Sequence, residues 1–498
     1  MPTLHTSITA KTATPITDVA EVVITDKPQT VFNSPNKPHL IIIGAGMAGT
    51  RFAFELAEVT DAYAITLINS EPHAGYNRIM LSPVLAGEKT FADIGLYPEA
   101  DYKKYHIQLL THTTVTAIDV DNKSLTLEHH TQTNDSSTSK INQAIQTLSY
   151  AKLVFATGST PFMLPLPNAD AKGVLAFRTK QDVDDMVALA SKQGSRCIVI
   201  GGGLLGLECA NALVNHGANV TVVHIGNYLL ERQLDATSAN LLQAHFEAKG
   251  IEFCLQGFSE GIEVNDKHEV TGLRLTDGTV IEADCIVMTV GVRPNIALAR
   301  EAGVPCDKGI LVDAYMHTEC DDVYAIGECV QFETHLFGLV APVYAQASVL
   351  VEALLDDLLD NCSDDRANEG ADTYLDKGSD QLPHRKKTPK SKPFSVQATA
   401  TKLKVSGVNL FSAGNIHAIE HGVESQNDAF QNCEFLTYHD PSQGIYQKLT
   451  LQNNRLVGVV LYGDVNDGAW FFDLMQNQTD VQDFRDSLLF GQALCGVN

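Results

Sequence analysis

Two glycine-rich runs of one kind carry most of the chemistry legible in this chain. The first is His39-Leu-Ile-Ile-Ile-Gly44-Ala-Gly46-Met47-Ala48-Gly49, and the second is Cys197-Ile-Val-Ile-Gly201-Gly-Gly203-Leu204-Leu205-Gly206. Each follows an apolar β-type run and opens a helix-like run, Arg51-Phe-Ala-Phe-Glu-Leu-Ala-Glu in one case and Leu207-Glu-Cys-Ala-Asn-Ala-Leu-Val in the other. A strand, a tight turn and a helix N-terminus together aim backbone N–H groups and the positive end of a helix dipole at one spot, which suits a pyrophosphate. A single run of this kind says little, because glycine is common and loops tolerate it. Two copies imply two dinucleotides, the equipment of a flavoprotein fed by a nicotinamide, whose chemistry is hydride transfer.

The elements that would position these turns follow from the pattern of apolar residues. After the first turn come a second strand, Ile65-Thr-Leu-Ile, and a loop signature, Glu71-Pro-His-Ala-Gly-Tyr76-Asn-Arg78. Residues 107–128 alternate like an antiparallel meander, 129–146 read as a polar surface loop, and Tyr150 to Gly158 reads as a buried strand ending in Thr157-Gly158. The second turn starts a fresh βαβ unit whose next strand, Asn219 to His224, is followed by a hairpin around Asp277-Gly278. Ala283 to Gly291 repeats the strand-then-glycine pattern and is expected to bring the chain back to the first unit. The fold class predicted is α/β, with two Rossmann-like three-layer nucleotide-binding domains and a small C-terminal α+β domain. The second nucleotide domain (160–285) is inserted in the first (38–159 and 286–360). Residues 1–37 read as a flexible extension, 361–394 as a linker and 395–498 as the C-terminal domain.

Composition bounds the rest. At 498 residues the chain has room for about three domains of ordinary size. A formal net charge of −25 argues against nucleic acid as a partner, because phosphates would be repelled at long range. No apolar run approaches the ~18 residues of a membrane span, and the start has no basic segment followed by an apolar stretch, so a cytoplasmic location is expected. The 10 cysteines include no C-x-x-C pair, and their spacing fits neither a disulfide framework nor a four-thiolate cluster; no metal site is expected. The basic cluster around Arg385-Lys-Lys and Pro389-Lys-Ser-Lys-Pro393 reads as solvated linker.

The order of motifs carries a family resemblance. Glycine turn, E-P-x-x-x-Y-N-R, Ala156-Thr157-Gly158, second glycine turn with Gly206-Leu-Glu208, Gly291-Val-Arg-Pro294 and Val323-Tyr-Ala-Ile-Gly327-Glu328 occur in succession. This resembles the FAD-dependent pyridine-nucleotide oxidoreductases, a class that includes ferredoxin and rubredoxin reductases and the flavin portion of NAD(P)H-nitrite reductase. Arg78-Ile-Met-Leu-Ser82, Leu230-Glu-Arg-Gln-Leu-Asp235, Phe337-Gly-Leu-Val-Ala-Pro342 and the C-terminal Val459-Val-Leu-Tyr-Gly-Asp464 are most similar to the nitrite reductase large subunit and the flavoprotein component of assimilatory nitrate reductase. The resemblance implies an enzyme passing electrons from NAD(P)H through FAD to a separate iron–sulfur or metal-centred nitrate or nitrite reductase component, because the clustered cysteines of such reductases are not found here. A rubredoxin or ferredoxin reductase is the alternative; the lysine after L-S in those relatives is Pro83 here, and the C-terminal domain also speaks against it. A flavin-based redox-sensing binding module is the non-enzyme alternative.

Carried over residue by residue, the resemblance assigns FAD to Gly44, Gly46, Met47, Ala48 and Gly49, with Arg78, Thr157, Gly158, Gly327 and Glu328 around the flavin. Glu328 taken alone reads as a helix-cap acid, which is compatible with that role. Glu71 is the acid available to the adenosine ribose, although the residue directly ending its strand is Asn69. NAD(P)H is assigned to Gly201, Gly203, Leu204, Leu205 and Gly206, with Gly291 nearby and Glu208 as the catalytic candidate beside the nicotinamide; otherwise Glu208 is a surface acid. His224 ends the strand where NAD sites show an acid and NADP sites an arginine, and so decides neither. Arg232 either reaches a 2′-phosphate or is an ordinary surface charge.

Overall fold

The structure, a computed structural model, describes residues 37–131, 142–368, 391–396, 400–405, 407–417 and 433–496. The N-terminal extension, Lys37 apart, and the basic cluster at 385–390 lie outside the described residues.

Five parallel strands form the first sheet, in the order Val323–Ala325, Lys152–Phe155, His39–Ile43, Ala64–Ile68, Gln108–Leu110. The central strand is apolar at nearly every position, so both of its faces must be covered; Leu40, Ile41 and Ile42 have no exposed surface. The helices Met47–Val59 and Val340–Asn368 pack against each other beside it. A second parallel sheet has the order Ile251–Leu255, Asn219–His224, Arg196–Ile200, Cys285–Met288, Val174–Ala176. Each sheet is accompanied by a three-stranded antiparallel meander, Thr113–Asp119 with Ser124–Thr131 and Asn142–Ser149 in one unit, Ser259–Val264 with Val270–Leu275 and Val280–Glu282 in the other. The hairpin expected around Asp277-Gly278 joins the last two of these strands. Ser159–Pro161 pairs antiparallel with Val292–Pro294 where the chain crosses between units.

The C-terminal residues build a five-stranded antiparallel sheet, in the order Thr401–Val405, Val408–Gly414, Arg455–Tyr462, Ile445–Gln452, Cys433–Asp440. Its period-2 alternation serves two apolar faces. Phe411, Leu449, Val459 and Leu461 meet Phe471 and Leu474 of the helix Gly468–Gln476, while Leu410, Tyr446, Val460 and Tyr462 join the core that holds Leu81, Leu85 and Leu213. Asp235 ties this sheet to the second unit. It caps the helix Ala236–Glu247 through the Ser238 N–H at 3.0 Å and accepts the Tyr446 hydroxyl at 2.6 Å. No helix among the described residues is long and apolar enough to cross a membrane.

Four expectations from the sequence are corrected. Gln108–Leu110 is not in the meander; it is the edge strand of the first parallel sheet, three residues being too few to distinguish alternation from a continuous run. The polar stretch 129–146 is not simply a loop, since Ser124–Thr131 and Asn142–Ser149 pair antiparallel across it; a strand with one face in water needs few apolar residues. Cys285–Met288 remains in the second sheet rather than returning to the first at 286, because an all-apolar strand carries no mark of which parallel sheet it fills. The stretch 361–394 is not all linker. The helix Val340–Asn368 runs into it, and Phe394 is buried edge-on against Phe332 and Phe337, with its N–H on the Ala314 carbonyl at 2.7 Å.

Candidate functional site

In both glycine turns the protein's own backbone demands the first and third glycines. Gly44 has φ +113°, and an added Cβ would overlap the Ala156 carbonyl; at Gly49 it would overlap the Gly44 carbonyl. Gly201 has φ +121° and faces Thr289 O at 2.7 Å from its Cβ position, while Gly206 would overlap the Gly201 carbonyl. The middle glycines are different. At Gly46 and Gly203 an added Cβ meets nothing within 4 Å, and the backbone (φ −72° and −82°) is ordinary extended chain. Neither packing nor conformation requires glycine there, and the turns leave open space at both residues. The helices Met47–Val59 and Leu204–Asn215 begin at these residues with no side-chain cap and no acidic residue in the first turn. The cradle therefore fits a pyrophosphate at both turns, on the N–H groups of Met47, Ala48 and Gly49 and of Leu204, Leu205 and Gly206.

Around the first turn the sequence motifs converge. Gly327 (φ +93°) sits with its Cβ position 2.9 Å from Ala48 Cβ, and its N–H donates to Gln346 Oε1 at 2.7 Å. Glu328 accepts Ser159 Oγ at 2.9 Å and Arg178 Nη2 at 2.5 Å. It lies in the turn before Val330–Phe332 and is not a helix cap. Thr157 Oγ1 donates to the Asn295 carbonyl at 2.6 Å, and the Asn295 N–H donates to Gly158, which has φ +66°. Arg78 forms an ion pair with Glu71 and donates to Tyr76 Oη at 3.1 Å and to the Arg178 carbonyl at 3.0 Å. Tyr76 in turn donates to Glu71 Oε2 at 2.7 Å. Burial opposes the Arg78 charge, but Glu71 and Tyr76 more than offset it, so the guanidinium pKa is raised; burial pushes the Tyr76 phenol well up.

Glu208 reaches across the seam between the units. Its carboxylate accepts the Ser82 hydroxyl at 2.5 Å from the helix Leu81–Leu85 of the first unit. Burial raises its carboxyl pKa, with the Ser82 hydrogen bond working the other way.

The remaining candidates are more scattered. Gly291 (φ +108°) lies at the crossing strand, its carbonyl accepting the Phe162 N–H at 2.9 Å, and Arg232 is exposed. His224 turns inward, its Nδ1 accepting the Gly202 N–H at 3.1 Å. Sequence reasoning missed Ser82, Ser159, Arg178, Asn295 and Gln346. Gln346 left a signal, an amide at the helical spacing of Val343, Ala347 and Leu350, that is, at a core position. Arg178 left none beyond its place before the capping box of Thr179 and Asp182.

Residues 38–349 match the family model of the pyridine nucleotide-disulphide oxidoreductases, and 400–479 match that of the rubredoxin NAD+ reductase C-terminal domain. The chain is 40% identical over 448 residues to nitrite reductase [NAD(P)H] of Bacillus subtilis (strain 168), covering 90% of this chain and 48% of that protein. It is 34% identical over 446 residues to the assimilatory nitrate reductase electron transfer subunit of the same organism, covering 89% and 50%. The chain thus spans about half the length of these relatives. The NADH:rubredoxin oxidoreductase structure from Clostridium acetobutylicum shares the fold, with a TM-score of 0.65 at 24% identity over 91% of this chain and 99% of that one.

Proposed function

This chain belongs to the pyridine nucleotide-disulphide oxidoreductase family, and from that premise we propose that it passes electrons from NAD(P)H through FAD to an iron–sulfur or metal-centred component of a nitrate or nitrite reductase. The observation that carries the reading is the pair of glycine turns whose middle glycines face open space, each at the carboxyl end of a parallel sheet. FAD belongs at the first turn, with Glu71, Arg78, Thr157, Gly158 and Glu328 around it; NAD(P)H belongs at the second. Bound FAD would accept a hydride as a pair of electrons and release the electrons singly. The chain's own work is alignment and charge. Arg78 and Arg178 supply positive charge beside the first site, each held by a glutamate, and the N–H groups of the two helix starts hold the pyrophosphates. Glu208, tied to Ser82, sits where the two units meet and orients the incoming nicotinamide.

Glu208→Gln is expected to slow reduction of the bound flavin by NAD(P)H by roughly tenfold to a hundredfold. Because burial raises the Glu208 carboxyl, its charged form gains population as pH rises through a value above the ordinary carboxylate range. The wild-type rate should climb over that window and the variant's should be flat. Stopped-flow reduction measured across pH checks this, and superimposable profiles would remove Glu208 from the catalytic set.

A rubredoxin or ferredoxin reductase is the second reading, favoured by the match at 400–479; that match also removes the C-terminal domain as an argument against it. The FAD-loaded protein should reduce ferricyanide with NADH or NADPH at many turnovers per second. Electron delivery to a purified nitrite or nitrate reductase component, in competition with rubredoxin, separates the two readings. Failure to turn over with any acceptor would sink both and leave a sensing module.

A further inference from the structure

The second glycine turn has a carboxylate seat that its sequence position does not announce. The strand Asn219–His224 ends beside the turn, where a Rossmann unit brings a side chain to the adenosine ribose. His224 occupies that place but does not reach outward. Its side chain is 12% exposed, and its ring lies 2.8 Å from the position of a Cβ on Gly202. Since Nδ1 accepts the Gly202 N–H, the neutral ring carries its proton on Nε2.

The following segment folds back onto the turn. The Leu230 N–H donates to the Gly202 carbonyl at 3.1 Å, with Leu230 at φ +53°, and this sets Glu231 beside His224. His224 Nε2, buried and without a hydrogen bond, lies 3.4 Å from Glu231 Oε2. On the other side stands Gly226, where an added Cβ would overlap the Glu231 carboxylate. The seat is therefore bounded from two directions, by a glycine that clears space and by an imidazole nitrogen 3.4 Å from the acid. The Glu231 side chain stays 41% exposed, so the carboxylate remains open to a ligand. Arg232, the single basic residue between Ile225 and Asp235, is exposed to solvent.

We propose that Glu231 makes the second turn selective for NADH over NADPH, standing in for the acid that the strand end lacks; this rests on the reading of that turn as the NAD(P)H port. A carboxylate there accepts hydrogen bonds from the two ribose hydroxyls and repels a 2′-phosphate, whose charge approaches −2 near neutral pH.

The test uses the FAD-loaded full chain, wild type, Glu231→Gln, Glu231→Ala and Arg232→Ala. For each, kcat/KM is compared for NADH and NADPH, and calorimetry measures binding of ADP-ribose and 2′-phospho-ADP-ribose without turnover. The wild type should prefer NADH and ADP-ribose by at least about tenfold, and both Glu231 variants should cut that ratio by about tenfold or more. Retained flavin absorbance shows that the variants are folded. A wild type that prefers NADPH, or Glu231 variants with an unchanged ratio, would overturn the assignment; so would a switch driven by Arg232→Ala alone. If neither fragment binds the wild type, the reading of the turn itself fails and the assignment falls with it.

Discussion

Gly203→Asp should yield a folded, flavin-loaded protein whose kcat/KM for NAD(P)H has fallen by about a thousandfold, a loss of roughly 4 kcal/mol. Steric cost is not the reason. The Gly203 backbone is extended, which any residue adopts, and a Cβ there meets no atom within 4 Å. What changes is the surface offered to the ligand: a negative charge now stands at the positive end of the helix Leu204–Asn215, against a pyrophosphate that is itself anionic. Gly206→Ala makes the contrast, because its methyl overlaps the Gly201 carbonyl and must shift the turn itself. Steady-state kinetics together with thermal unfolding separate the two, with Gly203→Asp losing cofactor affinity at nearly constant Tm. An unchanged KM for both NADH and NADPH would show that the second turn is not the nicotinamide port.

Gly46→Asp should have the larger consequence, an apoprotein without visible flavin absorbance and without NAD(P)H-dependent activity. The geometry is the same as at Gly203, an open face and extended backbone at the start of a helix with no competing acid in its first turn. A bound flavin stabilises the fold by mass action, so Tm should also drop, and added FAD should not restore it at concentrations that saturate the wild type. Absorbance spectra and calorimetry with and without added FAD read this directly. A variant that purifies with a full flavin complement would move the FAD site away from Gly46.

The candidate site was legible in uneven measure. Gly49 and Gly206 carry their reason locally, because each would overlap the carbonyl of the first glycine of its own turn, whereas Gly44 and Gly201 combine a locally legible positive φ with the close approach of Ala156 and Thr289 from distant strands. Thr157, Gly158, Gly327 and Glu328 were legible as motifs, but their partners were not. That Glu328 holds Arg178 and Ser159, or that Arg78 reaches the Arg178 carbonyl, depends on how the two units meet, which no spacing along the chain encodes. His224 shows the same divide at one residue. Its place at the strand end was plain, yet its ring is turned inward by the Gly202 N–H, and the open carboxylate is seven positions further on, returned by the Leu230 backbone.

From the sequence alone came the two nucleotide units, their glycine turns and the presence of a separate C-terminal sheet, because periodicity and turn chemistry are local properties of a chain. Tertiary structure decided which sheet took Cys285–Met288, that Phe394 belongs to a core rather than a linker, and that the Ser82 hydroxyl donates to Glu208. Each of these is a contact between segments far apart in the chain. An apolar strand fits more than one sheet, and a hydroxyl acquires a partner only when packing brings a buried carboxylate to it.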